Sequence, residues 1–536
     1  MTATLPSAHA EKRKRVVYGA AMVHPAVAPQ AVALRARLKR LGVVSERGRT
    51  WWTLGGCFLI VLLLRAPYVA VPLGRDEGGL AFLARHWEGG SLYGAYWVDR
   101  PPLLIGLFKV AVLGGDRGVR VLGALAALAL VLLIALLARA VAGSQAARIA
   151  GLLAALLTGS VAILAVYTPG ELLAAVPSTL SVLCLVLAHR SRQSRFVVAA
   201  GVAAMSAVLV KQSFFDAGFA GVVFVAVSAA SNRAVRLRWP AAYVAGAAIP
   251  LVVVLVWLAA ARVSVSYFAY TMFGFRLDLL HTLADSSLPL HVRFRQLEEP
   301  AWDAGLAPVI VAAIVGFAAL RRDRVLLVTF AAWLAAAAVG VLGGGSYFVH
   351  YLIQLVPVSC VLASVAIARA PLPIGVSVVG VVAALALINA NEGVDYLDRH
   401  TPWRRELAVG RYIRDHARAG DTQYVMYARP NVVYYARLRH PYPYLWSLMV
   451  RVRPGARTQL LRLLGSSRRP TWLVPWHHPS SWELDPDHSV ARAIQRGYRR
   501  AAVVCNIPIY VRNDRQRPPG VTVGACPTHV AWTSLG

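Results

Sequence analysis

Two carboxylates, Asp76 and Glu77, stand side by side in the stretch 75–102, RDEGGLAFLARHWEGGSLYGAYWVDRPP. A carboxylate can take a proton from a hydroxyl, and Asp76 is the candidate general base. Arg75, Arg85 and Arg100 supply fixed positive charge that can hold an anion or stabilise one as it forms. Glu77 points away from its neighbour in any regular backbone, so it is assigned to orienting a cation or holding substrate. His86, Trp87, Tyr93, Tyr96 and Trp97 suit a membrane–water boundary, where amphipathic rings settle. No other stretch in the first half of the chain gathers so many charged and aromatic residues.

What must position these residues is a membrane domain. Of 536 residues, 57% are hydrophobic and 15% charged, with mean hydropathy +0.55; a soluble domain carries about 25% charge. Apolar runs near the length needed to cross a bilayer recur along the chain. Spans are expected at 54–71, 119–137, 149–166, 172–188, 196–210, 214–230, 241–261, 304–320, 325–342, 347–368 and 374–390, about eleven transmembrane helices. The run 103–113 is too short to cross, so it is expected in the interface or as a re-entrant piece.

Charge tests this topology independently. Arg139 and Arg148, Arg190, Arg192 and Arg195, Arg233, Arg236 and Arg238, Arg321, Arg322 and Arg324, and Arg369 all fall in predicted inner loops. The short outer turns are nearly free of basic residues, Lys211 excepted, which is the positive-inside pattern. Of 25 acids, all but Glu11, Glu46 and Asp323 lie at or beyond the predicted outer face. Topology therefore accounts for most of the net charge of +31, and nucleic acid is not indicated as a partner.

Three parts are expected. Residues 1–50 form a basic cytoplasmic tail without a cleavable signal, in which 31–41 reads either as a short amphipathic helix or as plain solvated chain. Residues 51–390 form the transmembrane domain, with outer loops 73–118 and 262–303. Residues 391–536 form an extracytoplasmic domain, with helices expected at 403–417, 431–438, 456–464 and 490–499 and strands at 423–428, 471–475 and 501–511. That is a small α/β layer fold. It has no glycine-rich phosphate loop, so no nucleotide site is indicated. Cys57, Cys184 and Cys360 lie in apolar runs as small core residues. Cys505 and Cys526 lie outside, where a disulfide or two free thiols both remain open.

Ionisable groups at membrane depth are costly and face an interior cavity. Glu171, Lys211, Gln212, Tyr347, His350, Tyr351 and Gln354 all sit near predicted outer mouths, and so should converge with Asp76 on one cavity. Each charged group also has a structural reading. Asp76 or Glu171 could cap a helix, Glu77 could pair with Arg75 or Arg85, Arg100 or Lys211 could snorkel to headgroups, and His350 could simply pack.

The loop's order is familiar. Asp76-Glu77 just after the first span, followed by Tyr96-Trp97-Val98-Asp99-Arg100-Pro101-Pro102-Leu103-Leu104, resembles the first outer loop of the GT-C membrane glycosyltransferases. The similar branch includes protein O-mannosyltransferases and lipid A aminoarabinose transferases. Leu209-Val210-Lys211-Gln212 looks like that family's Lys-Gln turn. The segment Gly344-Gly345-Ser346-Tyr347-Phe348-Val349-His350-Tyr351-Leu352-Ile353-Gln354-Leu355-Val356-Pro357 is similar to a late-span segment of bacterial members. The resemblance implies a hexosyl- or pentosyltransferase of a bacterial plasma membrane. It would take sugar from a polyprenyl-phosphate donor and pass it, with inversion, to an extracytoplasmic protein, cell-wall glycan or lipid. It further implies that Arg100 contacts the donor phosphate, with Lys211, Arg75 and Arg85 as further candidates. The other polar residues would bind substrate.

Two departures stand out. Many relatives carry an Arg two or three residues after the Asp-Glu pair, where this chain has Gly78 and Gly79, and many carry an Asp where this chain has Glu171. Asp76, Glu77 and Glu171 offer oxygens to a divalent metal, but a lipid-phosphate leaving group neutralised by Arg and Lys needs none, so no metal or cofactor is assigned. Two other function classes compete. A transporter or lipid-carrier flippase would place its charges near the midplane and show repeat symmetry, whereas here the charges gather at one face and no repeat is evident. A non-catalytic glycan-binding scaffold would have no need of Asp76.

Overall fold

The computed structural model describes residues 46–88, 91–284, 290–343, 345, 347–427, 429–516, 522–523 and 526. The tail at 1–45, with its expected helix at 31–41, lies outside the described residues, as do Gly344 and Ser346.

The membrane part is helical throughout. It comprises α1 (Glu46–Arg65), α2 (Arg75–Arg85), α3 (Pro102–Ala111), α4 (Gly115–Ala142), α5 (Ser144–Thr158), α6 (Gly170–Ser191), α7 (Ser194–Val210), α8 (Asp216–Ser231) and α9 (Arg238–Ala260). After a short turn of helix come α10 (Phe275–Ala284), α11 (Leu290–Asp303), α12 (Leu306–Leu320), α13 (Arg324–Leu342), α14 (Val356–Arg369) and α15 (Leu372–His400). Among the described residues, seven helices are long and apolar enough to cross a membrane, or eight if the α11–α12 pair, bent by 88°, counts as one span. Three shorter apolar helices, α5, α7 and α8, accompany them. Burial separates centre from rim. The span in α6 is 72% buried inside the protein and that ending in α14 78%, against 22% for the one containing α9 and 17% for α15. The rim helices expose rows of Val, Leu and Ile, as lipid-facing surface should.

The sequence expects one helix over 149–166, but α5 stops at Thr158. Beyond it, Arg65 donates to the carbonyls of Thr158, Ala165 and Tyr167, the last at 2.8 Å. Asn389 Oδ1 accepts the N–H groups of Val161 and Ala162 at 3.1 and 3.2 Å. Buried side chains thus satisfy the irregular backbone that lipid could not. At the other end, α15 runs ten residues past the expected span end at 390, so the C-terminal domain, expected on the outer side, begins after His400.

That domain contains α16 (Arg404–His416), β1 (Gln423–Val425), α17 (Pro430–Ala436), α18 (Ser447–Val452), α19 (Ala456–Leu464), β2 (Trp472–Val474), α20 (Ser489–Gly497), β3 (Tyr498–Val504), β4 (Ile507–Arg512) and β5 (Thr522–Val523). The sheet order is β1-β2-β4-β3-β5. β1 runs parallel to β2 and β5 to β3, while β4 is antiparallel to both its neighbours. The expected single strand at 501–511 is instead a hairpin. Cys505 and Asn506 both adopt left-handed backbone, φ 51° and 62°, which is the two-residue turn that matches strand twist. Cys505 is bonded to Cys526. The loop after α2 is sewn into this domain: Trp97 is buried beside Tyr424, Tyr442 and Tyr444, and its backbone N–H donates to the Pro443 carbonyl at 3.1 Å.

Candidate active site

The site grows from the first turn of α2. Glu77 Oε2 accepts the Gly74 N–H at 2.9 Å and so caps its own helix. Its other oxygen accepts the Thr168 N–H at 2.8 Å and a guanidinium N–H of Arg120. Glu77 is 6% exposed and Arg120 3%. Arg120 also donates to the carbonyls of Val71 and Pro72, at 3.2 and 3.1 Å. Both oxygens of Glu77 are therefore committed to tying α2, α4 and the turn before α6 together. The sequence offers Arg75 or Arg85 as the ion-pair partner; the structure supplies Arg120.

One residue earlier, a 100° rotation turns Asp76 to another side of the helix. It is exposed, and its Oδ1 accepts the indole N–H of Trp446 at 3.0 Å. The protein around it opposes its charge. Arg75, His350, Arg100 and the indole outweigh that, and hold the carboxyl below the ordinary carboxylate value.

Facing it is a cluster of cations. Asp99, 2% exposed, is paired with Arg100 and, at 2.7 Å, with Arg276 of α10. The two guanidinium side chains remain 27% and 32% exposed, so each keeps donors that Asp99 does not take. Lys211, at the C-terminal end of α7, is paired with Glu171 at the start of α6. Its ammonium sits 4.8 Å from the centre of the Tyr351 ring, and His350 Nε2 lies 3.4 Å from the same Glu171. Burial pushes the Lys211 ammonium below its ordinary value despite Glu171. Gln212 donates to the Asp99 carbonyl at 2.8 Å, which links the α7 turn to the loop.

Of the residues singled out from sequence, Asp76, Arg75, Arg100, Lys211, Glu171, Gln212, His350 and Tyr351 are brought together by these contacts. Others are placed elsewhere. Arg85 lies at the far end of α2, about 13 Å along the axis from Asp76, and donates to the Tyr434 hydroxyl at 2.9 Å. Gln354 is 1% exposed and donates to the Ser213 carbonyl at 2.8 Å, holding a turn. Tyr347 is half-buried at φ 47°, on the approach to His350. Asp99, Arg120, Arg276 and Trp446 were not assigned to the site from sequence. Arg276 has no motif around it, and Asp99 lies in the stretch 75–102 with nothing in the sequence to separate it from its neighbours. The three acids offered for a metal do not converge, because Glu77 is taken by Arg120 and Glu171 by Lys211. Among the described residues, no group of three or more His, Cys, Asp or Glu is placed to hold one.

Residues 100–259 match the family model described as dolichyl-phosphate-mannose-protein mannosyltransferase. No curated protein matches the sequence. Solved structures do. ArnT from Cupriavidus metallidurans bound to undecaprenyl phosphate aligns with a TM-score of 0.57 at 16% identity, over 89% of this chain and 100% of that one. This chain has the GT-C fold. The archaeal oligosaccharyltransferase AglB from Archaeoglobus fulgidus, in complex with an inhibitory peptide and a dolichol-phosphate, aligns at 0.54 and 13% identity, over 84% of this chain and 73% of that one. The GT-C fold that the loop's resemblance implies is thus borne out.

Within the GT-C fold, the loop's first departure has a steric cause. A Cβ on Gly78 would lie 2.5 Å from Asn431 Cα, and one on Gly79 would lie 2.3 Å from the Trp446 ring. The outer domain packs directly on this face of α2, so no arginine fits there. Arg276 and Arg100 supply guanidinium groups to the site from other segments.

Proposed function

We propose that this chain is an inverting glycosyltransferase that moves a sugar from a polyprenyl-phosphate donor to an extracytoplasmic acceptor. One observation carries the reading: an exposed carboxylate, Asp76, lies within the field of Arg75, Arg100 and His350, and Arg276 and Lys211 are held in the same cluster by Asp99 and Glu171, in a GT-C membrane bundle. The solved ArnT and AglB complexes hold undecaprenyl phosphate and a dolichol-phosphate. By analogy, the cation cluster here takes the donor phosphate.

In this mechanism Asp76 accepts the proton of an acceptor hydroxyl. The oxygen attacks the anomeric carbon from the face opposite the phosphate. The carbon–oxygen bond to phosphate breaks, and the electron pair leaves with the polyprenyl phosphate. Arg100, Arg276 and Lys211 neutralise the charge that appears on it. Glu77 holds the start of α2 so that Asp76 points at the acceptor. By the positive-inside rule, the site and the outer domain face away from the cytoplasm.

The test uses purified full-length protein with radiolabelled polyprenyl-phosphate mannose and arabinose forms. Release or transfer of sugar by the wild type, abolished in a folded Asp76→Asn variant, supports the reaction and the base together. Turnover that survives the substitution removes Asp76 from the role. Lipid binding without turnover of any donor would favour a carrier.

A further inference from the structure

A concave space lies away from the cation cluster. It encloses about 1420 Å3 between the C-terminal half of α2, the loop after it and the outer domain. Seven arginines line it against two acids, Glu88 and Asp421. They come from four separate parts of the chain, so only the tertiary fold gathers them. Arg515 is paired with Asp421 and Arg512 with Asp514, each at 2.6 Å. Arg85 is fixed 4.1 Å over the Tyr434 ring and donates to its hydroxyl. Arg437, Arg439, Arg468 and Arg469 have no carboxylate partner among the described residues. Arg437, Arg439 and Arg468 are exposed to solvent, and the positive potential they share favours an anion in the space.

The cation type narrows the ligand. From residue 391 onward the chain has 22 arginines and no lysine. Guanidinium presents a planar fork that matches carboxylate and phosphate oxygens two at a time. Phe82, Tyr96 and Tyr434 lie in the same wall as buried rings, with Arg85 over Tyr434, so the guanidinium groups set the contact surface. The volume exceeds the roughly 300–1,000 Å3 that holds one small molecule, so an oligomer fits better than a monomer. The space is concave, which suits an inserted chain better than a flat sheet of headgroups.

We infer that this basic cavity binds an anionic oligosaccharide, bearing carboxylate or phosphate groups, as the acceptor chain. That the bound chain is a saccharide, and the acceptor, rests on the glycosyl-transfer reading above; the binding of a polyanion does not. Arg85 and Asp76 lie on one helix about 13 Å apart along its axis, so a chain of several sugar units is needed to reach the base from the cavity.

The test measures binding of fluorescein-labelled oligogalacturonate to detergent-solubilised full-length protein, beside labelled maltooligosaccharide of equal length. Oligogalacturonate should bind, more weakly as salt rises, and the neutral chain should not. Arg437→Gln with Arg439→Gln, combined with Arg468→Gln and Arg469→Gln, should weaken binding at least about tenfold. Arg492→Gln with Arg496→Gln, an exposed pair outside the cavity, should change it by less than about twofold. If the fourfold variant does not fold, phenylglyoxal labelling of the wild type decides, with oligogalacturonate expected to protect Arg437, Arg439 and Arg468 but not Arg492. Equal binding of the neutral chain, equal loss in the control pair, or unprotected cavity arginines would overturn the inference. So would displacement of the probe by phosphatidylglycerol vesicles with loss of vesicle binding in the cavity variant, which would make the surface a membrane contact. Donor turnover is read separately. Turnover without polyanion binding overturns this inference and spares the transfer reading, whereas polyanion binding without donor turnover supports the cavity and counts against transfer.

Discussion

Replacing Glu77 by glutamine takes one negative charge from a pocket that keeps Arg120. Both side chains are nearly inaccessible to water, and Arg120 has no other acid within ion-pair distance among the described residues. Removing one partner of such a pair leaves an uncompensated buried charge and costs about 3–5 kcal/mol. Glutamine still offers an oxygen to Gly74 or Thr168, so most of the cap survives; Glu77→Ala should lose about 1 kcal/mol more. Asp76→Asn is different in kind. Asp76 is exposed and holds one indole N–H, so stability should change by less than about 1 kcal/mol, while turnover should fall about 10²–10⁴-fold with loss of the base. The assay is thermal unfolding in detergent, paired with donor turnover well below the transition. Adding Arg120→Met to Glu77→Gln should recover much of the loss, because both charges are then gone. A Glu77→Gln protein that melts like the wild type yet loses as much turnover as Asp76→Asn would refute the division of labour between the two carboxylates.

Three further outcomes are expected. Arg276→Gln should lower kcat/KM for the donor about 10–100-fold, the loss of one charged hydrogen bond to phosphate, with the melting temperature little changed; an unchanged kcat/KM would place the phosphate elsewhere. The pH profile should be broad. Because Asp76 is held below the ordinary carboxylate value, its basic form persists as pH falls, and turnover should decline only below about pH 4. On the alkaline side, loss should set in below the ordinary lysine value of about 10.4, as Lys211 gives up its proton early. An acid limb near neutrality would point to another base. Gly78→Ala should cost about 1–3 kcal/mol by forcing the α2 backbone from Asn431, and limited proteolysis should then release the outer domain more readily than in the wild type.

The outer domain does more than flank the site. Trp446 bonds the candidate base, Trp97 is buried in the domain's core, and Asn431 donates to the Leu73 carbonyl at 3.2 Å, just before α2 begins. These contacts join the loop to the C-terminal domain. The geometry of Asp76 therefore depends on residues more than 350 positions away in sequence.

Much was legible in the chain itself. Hydropathy and the arginine pattern give a multi-pass membrane protein, because water and lipid sort side chains by local composition. The Asp-Glu pair, Arg100 and Lys211-Gln212 are visible as polar residues in places where polarity is costly. What the sequence could not decide is pairing. It leaves Asp76 and Glu77 as chemical equals; burial against Arg120, contributed by a helix over forty residues on, makes one a brace and leaves the other exposed. It does not bring Arg276 to Asp99, or four distant groups of arginines to one cavity. Nor does it stop the helix at Thr158, where a buried Arg65 takes over the backbone carbonyls. Partition between water and lipid is a property of each segment. Which carboxylate meets which guanidinium depends on the relative placement of segments, and only the packed fold sets that.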